Sequence, residues 1–242
     1  EQAYTVGMQR VIDDLSDKKA GRPIFISLSI APLFPSGYGT SRRISCDTWG
    51  WLANSEYELN SLTYGWWEEG TLYRFNDPDN TELIEQKPLT TEDEGRTRFN
   101  ASVISGTVLL DSDPLVDAEA QQRALKFLTN PEVDALARMG HTFHPVDGDT
   151  GSHSDDVFVY HDAQSKQSYV AVFNFDGKAN KSMDLDLARL GMNPSVTYTV
   201  RDLWTHTNST AHGTLAVTLL PAQSTILRLS EIPESGAMAS TR

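Results

Sequence analysis

The hydrophobic period of this chain changes near Gly140. Before it, short apolar runs alternate with stretches at helical spacing; after it, alternating runs of four to eight residues recur about every ten positions. Those later runs are 157–160 (VFVY), 168–175 (SYVAVFNF), 182–187 (SMDLDL), 197–204 (TYTVRDLW), 214–220 (TLAVTLL) and 225–230 (TILRLS), separated by Gly, Asn, Asp and Pro. A period of two with frequent turn residues is the signature of antiparallel strands, whereas strand-then-helix alternation builds a parallel sheet. The spacing therefore predicts a parallel α/β unit over 1–140, a polar linker over 141–156, an antiparallel β-domain over 157–232 and a loose tail over 233–242.

Within the first unit, 3–15 carries Val6, Met8, Val11, Ile12 and Leu15 at near-helical spacing, so a helix is expected there. Residues 24–30 (IFISLSI) form an apolar, β-branched run of the kind buried on both faces of a parallel sheet. After the Pro/Gly loop 31–40 come a strand at 43–46, an aromatic-rich helix at 55–69 and a strand at 72–75, then the turn-forming stretch Asn76-Asp77-Pro78-Asp79-Asn80. Thr90 and Thr91 followed by Glu92, Asp93 and Glu94 offer an N-cap and an acidic first turn for a helix running towards Ile104. A strand at 107–110 and a helical stretch at 117–138, interrupted by Pro131, complete four strand-then-helix units.

Composition excludes several functions. A net charge of -13 gives no clustered base for a phosphate backbone, so no nucleic-acid partner is expected. An acidic protein handling neutral ligands fits this balance, and no apolar run of 18 residues calls for a membrane. With one cysteine there is no internal disulfide; Cys46 reads as a small buried residue. His141 and His144, three apart, lack the helical context of a metal pair. Asp147, Asp149, Asp155 and Asp156 lack the fuller loop pattern of a calcium hand. Neither metal nor cofactor is expected. The sequons at Asn100, Asn180 and Asn208 are as frequent as chance allows. Glu1 to Tyr4 resembles no signal peptide and starts abruptly in a helical pattern, so the sequence is expected to be part of a longer protein.

The stretch 42–51 (RRISCDTWGW) places a base, a carboxylate and two large aromatics at a strand end. In barrel enzymes that is where the chemistry is kept. Taken alone, Asp47 could equally cap a loop or pair with Arg43. Arg43 could be a scaffold ion-pair partner of Asp77 or Asp79, and Trp49 and Trp51 could pack in a core. Trp66 and Trp67, on an outer helix, read as core.

Several stretches together resemble the α-galactosidase-like glycoside hydrolases of family 27. Arg43-Ile44-Ser45-Cys46-Asp47 resembles the Arg-x-x-x-Asp ending barrel strand six, and Phe75-Asn76-Asp77-Pro78-Asp79 the Trp-Asn-Asp-Pro-Asp after strand seven. Thr91 to Arg96 resembles the acidic start of the next helix, Leu128 to Val133 the last barrel helix, and Val200 to Trp204 a recurrent strand of the β-domain. The resemblance implies the C-terminal half of a (β/α)8 barrel, strands five to eight, followed by an antiparallel β-sandwich. It also implies a retaining exo-α-glycosidase acting on terminal galactose or a related sugar, with an oligosaccharide or glycoside as substrate, no cofactor, and a secreted or periplasmic location. Because the family's nucleophile ends strand four, it is expected upstream of residue 1. The isolated stretch would then expose the raw edge of strand five and aggregate.

Retaining glycosidases use two carboxyl groups about 5 to 5.5 Å apart, one attacking the anomeric carbon and the other serving as acid and then base. By resemblance Asp47 is the acid/base, and Arg43, Asp79, Trp49, Trp51 and Ser29 contact substrate, with Asp77 in support. Ser27-Leu28-Ser29-Ile30 stands where many α-galactosidases carry a Glu that reads the sugar 2-hydroxyl. That departure leaves relatives acting on β-L-arabinopyranosides or α-glucans open. So does a non-catalytic carbohydrate-binding or structural portion.

Overall fold

The computed structural model describes residues 2–15, 24–106 and 109–233. It opens with helix α1 (Gln2–Leu15), none of whose residues is buried. Three short parallel strands follow in the spatial order of the chain: β1 (Ser27–Leu28), β2 (Ser41–Arg43) and β3 (Phe75–Asp77). A single parallel bridge, Thr81 with Asp111, marks the next position in this layer. Helix α2 (Leu52–Gly65), prolonged by a 3-10 turn over Trp66–Glu68, links β2 to β3; α3 (Glu92–Ser105), α4 (Ala118–Phe127) and α5 (Pro131–Met139) follow.

The start of α3 is the one the acidic triplet predicts. Thr91 accepts from the Glu94 amide while the Glu94 carboxylate accepts from the Thr91 amide at 2.7 Å, a reciprocal cap. Pro131 splits the expected 117–138 helix in two. Its ring cannot continue a helix but suits a first turn, and Asn130 caps the new start through the amides of Glu132 and Val133.

The strands sit one to three residues away from their expected places. The strand expected over 43–46 is Ser41–Arg43, and the one over 72–75 is Phe75–Asp77. In both, pairing is fixed by neighbouring backbones, Ser41 lying opposite Ser27 on one side and Phe75 on the other, and not by local apolar content. The run 24–30 is not the doubly buried strand that its composition predicts: it pairs over two residues only, and Phe25 is 52% and Ile30 96% exposed. Among the described residues nothing pairs with the outer edge of β1. The expected 107–110 strand lies partly, and the tail beyond Pro233 wholly, outside the described residues.

The C-terminal part is an eight-stranded antiparallel sheet folded on itself: β4 (His144–Pro145), β5 (Val157–Asp162), β6 (Gln167–Phe173), β7 (Lys181–Asp186), β8 (Thr197–Asp202), β9 (Asn208–His212), β10 (Thr214–Leu219) and β11 (Ser224–Glu231). Their spatial order is β4-β5-β6-β11-β8-β9-β10-β7. All six expected runs are strands, and β9, whose NSTAH sequence has no apolar alternation, is an addition. The stretch 141–156, expected as a linker, supplies β4 and buries Phe143, Ser154 and Asp155.

The period of two decides the packing. On β6, Val170 and Val172 point into the sandwich with Val157, Val159, Leu227 and Leu229. Tyr169, Ala171 and Phe173 point the other way, into a second core with Phe158, Ile226, Leu59, Leu62, Phe99 and Phe127. The sheet therefore has one face inside its own sandwich and one against the helices, and α3, buried along nearly its whole length, fills the space between.

Candidate active site

The candidate groups come together at the C-terminal lip of the parallel strands, on the loops after β2 and β3. Arg43, the last residue of β2, is the hub. Its Nη1 meets Asp47 Oδ1 at 2.5 Å and its Nη2 meets Asp79 Oδ1 at 3.0 Å. The two carboxylates differ in setting: the Asp79 side chain is 8% exposed and that of Asp47 is 74% exposed. One is a buried anchor for the guanidinium; the other is paired to it on the exposed side.

Asp79 also accepts the Thr48 amide at 2.8 Å, so a single carboxylate ties the loop after β2 to the loop after β3. It can do so because its backbone takes the left-handed conformation (φ 68), which Asp tolerates better than most residues. Asp77 accepts the Asp79 amide at 2.8 Å and the Ser27 hydroxyl at 2.5 Å, joining β3 and its loop to β1. It supports the loop and does not pair with Arg43.

Below the lip, Arg98 of α3 is fully buried against Glu58 of α2 and donates to the carbonyls of Pro78 at 2.7 Å and Asn80 at 3.0 Å. It thus clamps the turn that carries Asp79. Ser105 completes the set by donating to Glu58 at 2.7 Å. Burial pushes the Glu58 carboxyl upward, while Arg98 and the Ser105 hydroxyl pull it back. Breaking such a pair by removing one partner costs far more than the pair itself contributes.

Trp49 is 47% exposed beside Asp47, whereas Trp51 is half-buried with an indole N–H that is buried and finds no acceptor among the described residues. The Nε of Arg43 is likewise buried and unpartnered there. Ser29 is exposed, one residue beyond β1. Cys46, expected in the core, is exposed, because β2 ends three residues earlier and Cys46 rides on the loop. Trp66 packs on the core as expected, with its ring 4.2 Å from that of His144, while Trp67 is 39% exposed.

The histidines and acids of 141–156 serve structure. His141 faces Glu69 at 3.3 Å, and Asp155 accepts the amides of Asp147 and Val157. Among the described residues no group of three His, Cys, Asp or Glu is placed to hold a metal ion, and no helix is long and apolar enough to cross a membrane.

Sequence reasoning missed Thr48, Ser27, Glu58 and Arg98, which act through backbone groups or from a helix interior. The one signal for Arg98 was a base inside a helix that lacks a clear polar face.

Residues 156–229 match the alpha galactosidase C-terminal beta sandwich domain. A search of curated protein sequences finds no match. Among solved structures the chain is similar to a family 27 β-L-arabinopyranosidase from Geobacillus stearothermophilus, with 26% identity and a TM-score of 0.69 over 91% of this chain and 52% of that one. It also has the fold of alpha-galactosidase I from Mortierella vinacea, at 16% identity and a TM-score of 0.68 over 88% of this chain and 59% of that one. Arthrobacter globiformis isomalto-dextranase, in a complex with panose, shares that fold at 20% identity and a TM-score of 0.68, over 98% of this chain and 42% of that one. The chain spans about half the length of the relatives it matches. It is similar to the C-terminal portion of family 27 glycoside hydrolases: part of a (β/α)8 barrel followed by a β-sandwich.

Proposed function

We propose that this chain carries the acid/base half of the active site of a retaining exo-glycosidase of the α-galactosidase type. The observation that carries this reading is the Asp79–Arg43–Asp47 line at the C-terminal lip of parallel strands, with the outer carboxylate exposed and the inner one buried. Asp47 protonates the departing glycosidic oxygen and then takes a proton from the attacking water. Arg43, with its remaining Nη hydrogens to offer, holds sugar hydroxyls. Trp49 and Trp51 form the apolar wall beside the ring. Asp79 and Asp77 position, and Ser29 faces the substrate from the end of β1. On this reading the attacking carboxylate belongs to barrel strand four.

A pentopyranoside substrate is the second reading. It is favoured by the similarity to an enzyme named for β-L-arabinopyranosides. The test is hydrolysis of nitrophenyl α-galactoside, α-N-acetylgalactosaminide, β-L-arabinopyranoside and α-glucoside by the complete gene product, with the released anomer followed by NMR. Turnover of one substrate with retention of configuration is expected. Inversion, or no turnover of any of the four, contradicts the reading.

A further inference from the structure

The hairpin formed by β9 and β10 opens as soon as it begins. The two strands pair only at Thr214 with His212. Beyond that point β9 runs along β8 over five residues and β10 runs along β7 over six. Their facing edges, which a closed hairpin would ladder together, diverge around a cleft of about 320 Å³. Such edges leave backbone N–H and C=O groups free to bind something else.

The side chains around this cleft are of two kinds. Its floor is apolar, from Val200, Val217 and Leu227. Its rim carries the hydroxyls of Thr207 and Ser209, both exposed, and the half-buried amide of Gln223. One wall is Trp204 of the β-domain with the Arg96 guanidinium of α3 lying 5.8 Å from its ring centroid.

Arg96 is held by Asp93, so an anion finds no free cation here. Asp202 has no ion-pair partner among the described residues, but its oxygens already accept the amides of Trp204 and Thr205 at 2.8 and 3.0 Å and the Thr225 hydroxyl at 3.1 Å. A neutral ligand rich in hydroxyls finds an apolar floor for its C–H face and donors and acceptors around the rim. The volume is at the small end for a ligand pocket.

We propose that this cleft is a second saccharide-binding subsite, taking one or two neutral pyranose units, built from none of the residues of the Asp47 lip. Its ligand class rests on the glycosidase reading above, whereas its location does not. It would hold a distant unit of a polymeric or branched substrate, adding avidity to the binding at the lip.

The test uses the complete gene product carrying Arg43→Ala, which disables the lip, and saturation-transfer NMR with methyl α-D-galactopyranoside, methyl β-L-arabinopyranoside and isomaltose. Binding of at least one of these is expected to persist in Arg43→Ala. It should weaken at least tenfold when the exposed rim is filled by Ser209→Trp or, separately, Thr207→Trp, with the melting temperature unchanged. Absence of saccharide binding in the Arg43→Ala protein, or binding unaltered by both rim substitutions, overturns the proposal. Binding at the cleft in a protein that hydrolyses no glycoside would sustain the subsite and refute the catalytic reading, so the two fail separately.

Discussion

In the β-domain, β6 and β11 pair through seven consecutive residues, while β1 and β2 of the parallel layer pair through two and β2 and β3 through three. The first region is held by continuous ladders with apolar residues on both faces of the central strands. The second is held by side chains bonded to backbone: Arg98 to Pro78 and Asn80, Asp79 to Thr48, and Asp77 to Asp79. The lesson is that the site loops owe their shape to buried polar groups and not to the strands they follow. Sensitivity to substitution should divide in the same way, apolar truncation mattering most in the β-domain and polar truncation around the lip.

Phe173 lies fully buried between the sheet and the helices. Phe173→Ala should lower the free energy of unfolding by about 3–5 kcal/mol, measured by denaturant titration. A loss under ~1 kcal/mol would mean that the sheet does not depend on the helical face. Arg98→Met leaves Glu58 buried without a counter-charge, with only the Ser105 hydroxyl bonded to it, and should cost about 3–5 kcal/mol. The double variant Arg98→Met/Glu58→Leu should recover part of that stability but none of the lip geometry, so any glycosidase activity should remain down by about a hundredfold. Full recovery of activity in the double variant would show that the Arg98 clamp on Pro78 and Asn80 is dispensable.

Charge in the lip region should show itself in pH dependence. Burial, and then the hydrogen bond and repulsion from Glu85, push the Glu82 carboxyl up to about 7. A raised folded value means the folded state holds this proton more tightly than the unfolded chain. The contribution is therefore complete below about 4.5 and disappears as pH rises through 7. Glu82→Gln should flatten the fall in melting temperature between those limits, and an unchanged profile would remove Glu82 from the account. At the exposed edge, Phe25→Ser should change stability by about 0.5 kcal/mol or less while reducing aggregation of the 242-residue chain. A large destabilisation would mean that β1 is buried after all.

The sequence made the β-domain legible nearly strand by strand, because period-two alternation is a local property. The β9 strand escaped because Asn208 to His212 has only one buried residue and is defined by its neighbour β8. Helix starts were legible wherever a cap wrote itself into the residues, as Thr91 with Glu94 does. The parallel strands were legible in order but not in position, since strands of two or three residues are set by backbones far away in the chain. At the site, Arg43, Asp47 and Asp79 were named from their motif and are in contact. Arg98, Glu58 and Thr48 were not, because a buried ion pair and a backbone amide leave no periodic trace. Cys46 shows the same limit from the other side: its apolar neighbours pointed to a core position, and a strand ending three residues early put it on the surface.

The measurement that bears most directly on the proposed chemistry is the turnover of nitrophenyl glycosides by the complete gene product with Asp47→Asn, with and without azide. If Asp47 is the acid/base, the variant should lose activity most on substrates with poor leaving groups. It should keep glycosylation of highly activated ones and be accelerated by azide, giving a glycosyl azide of retained configuration. Equal turnover by Asp47→Asn and the unaltered protein, or loss that neither a better leaving group nor azide relieves, would take Asp47 out of the proton transfers and leave the lip as a binding surface.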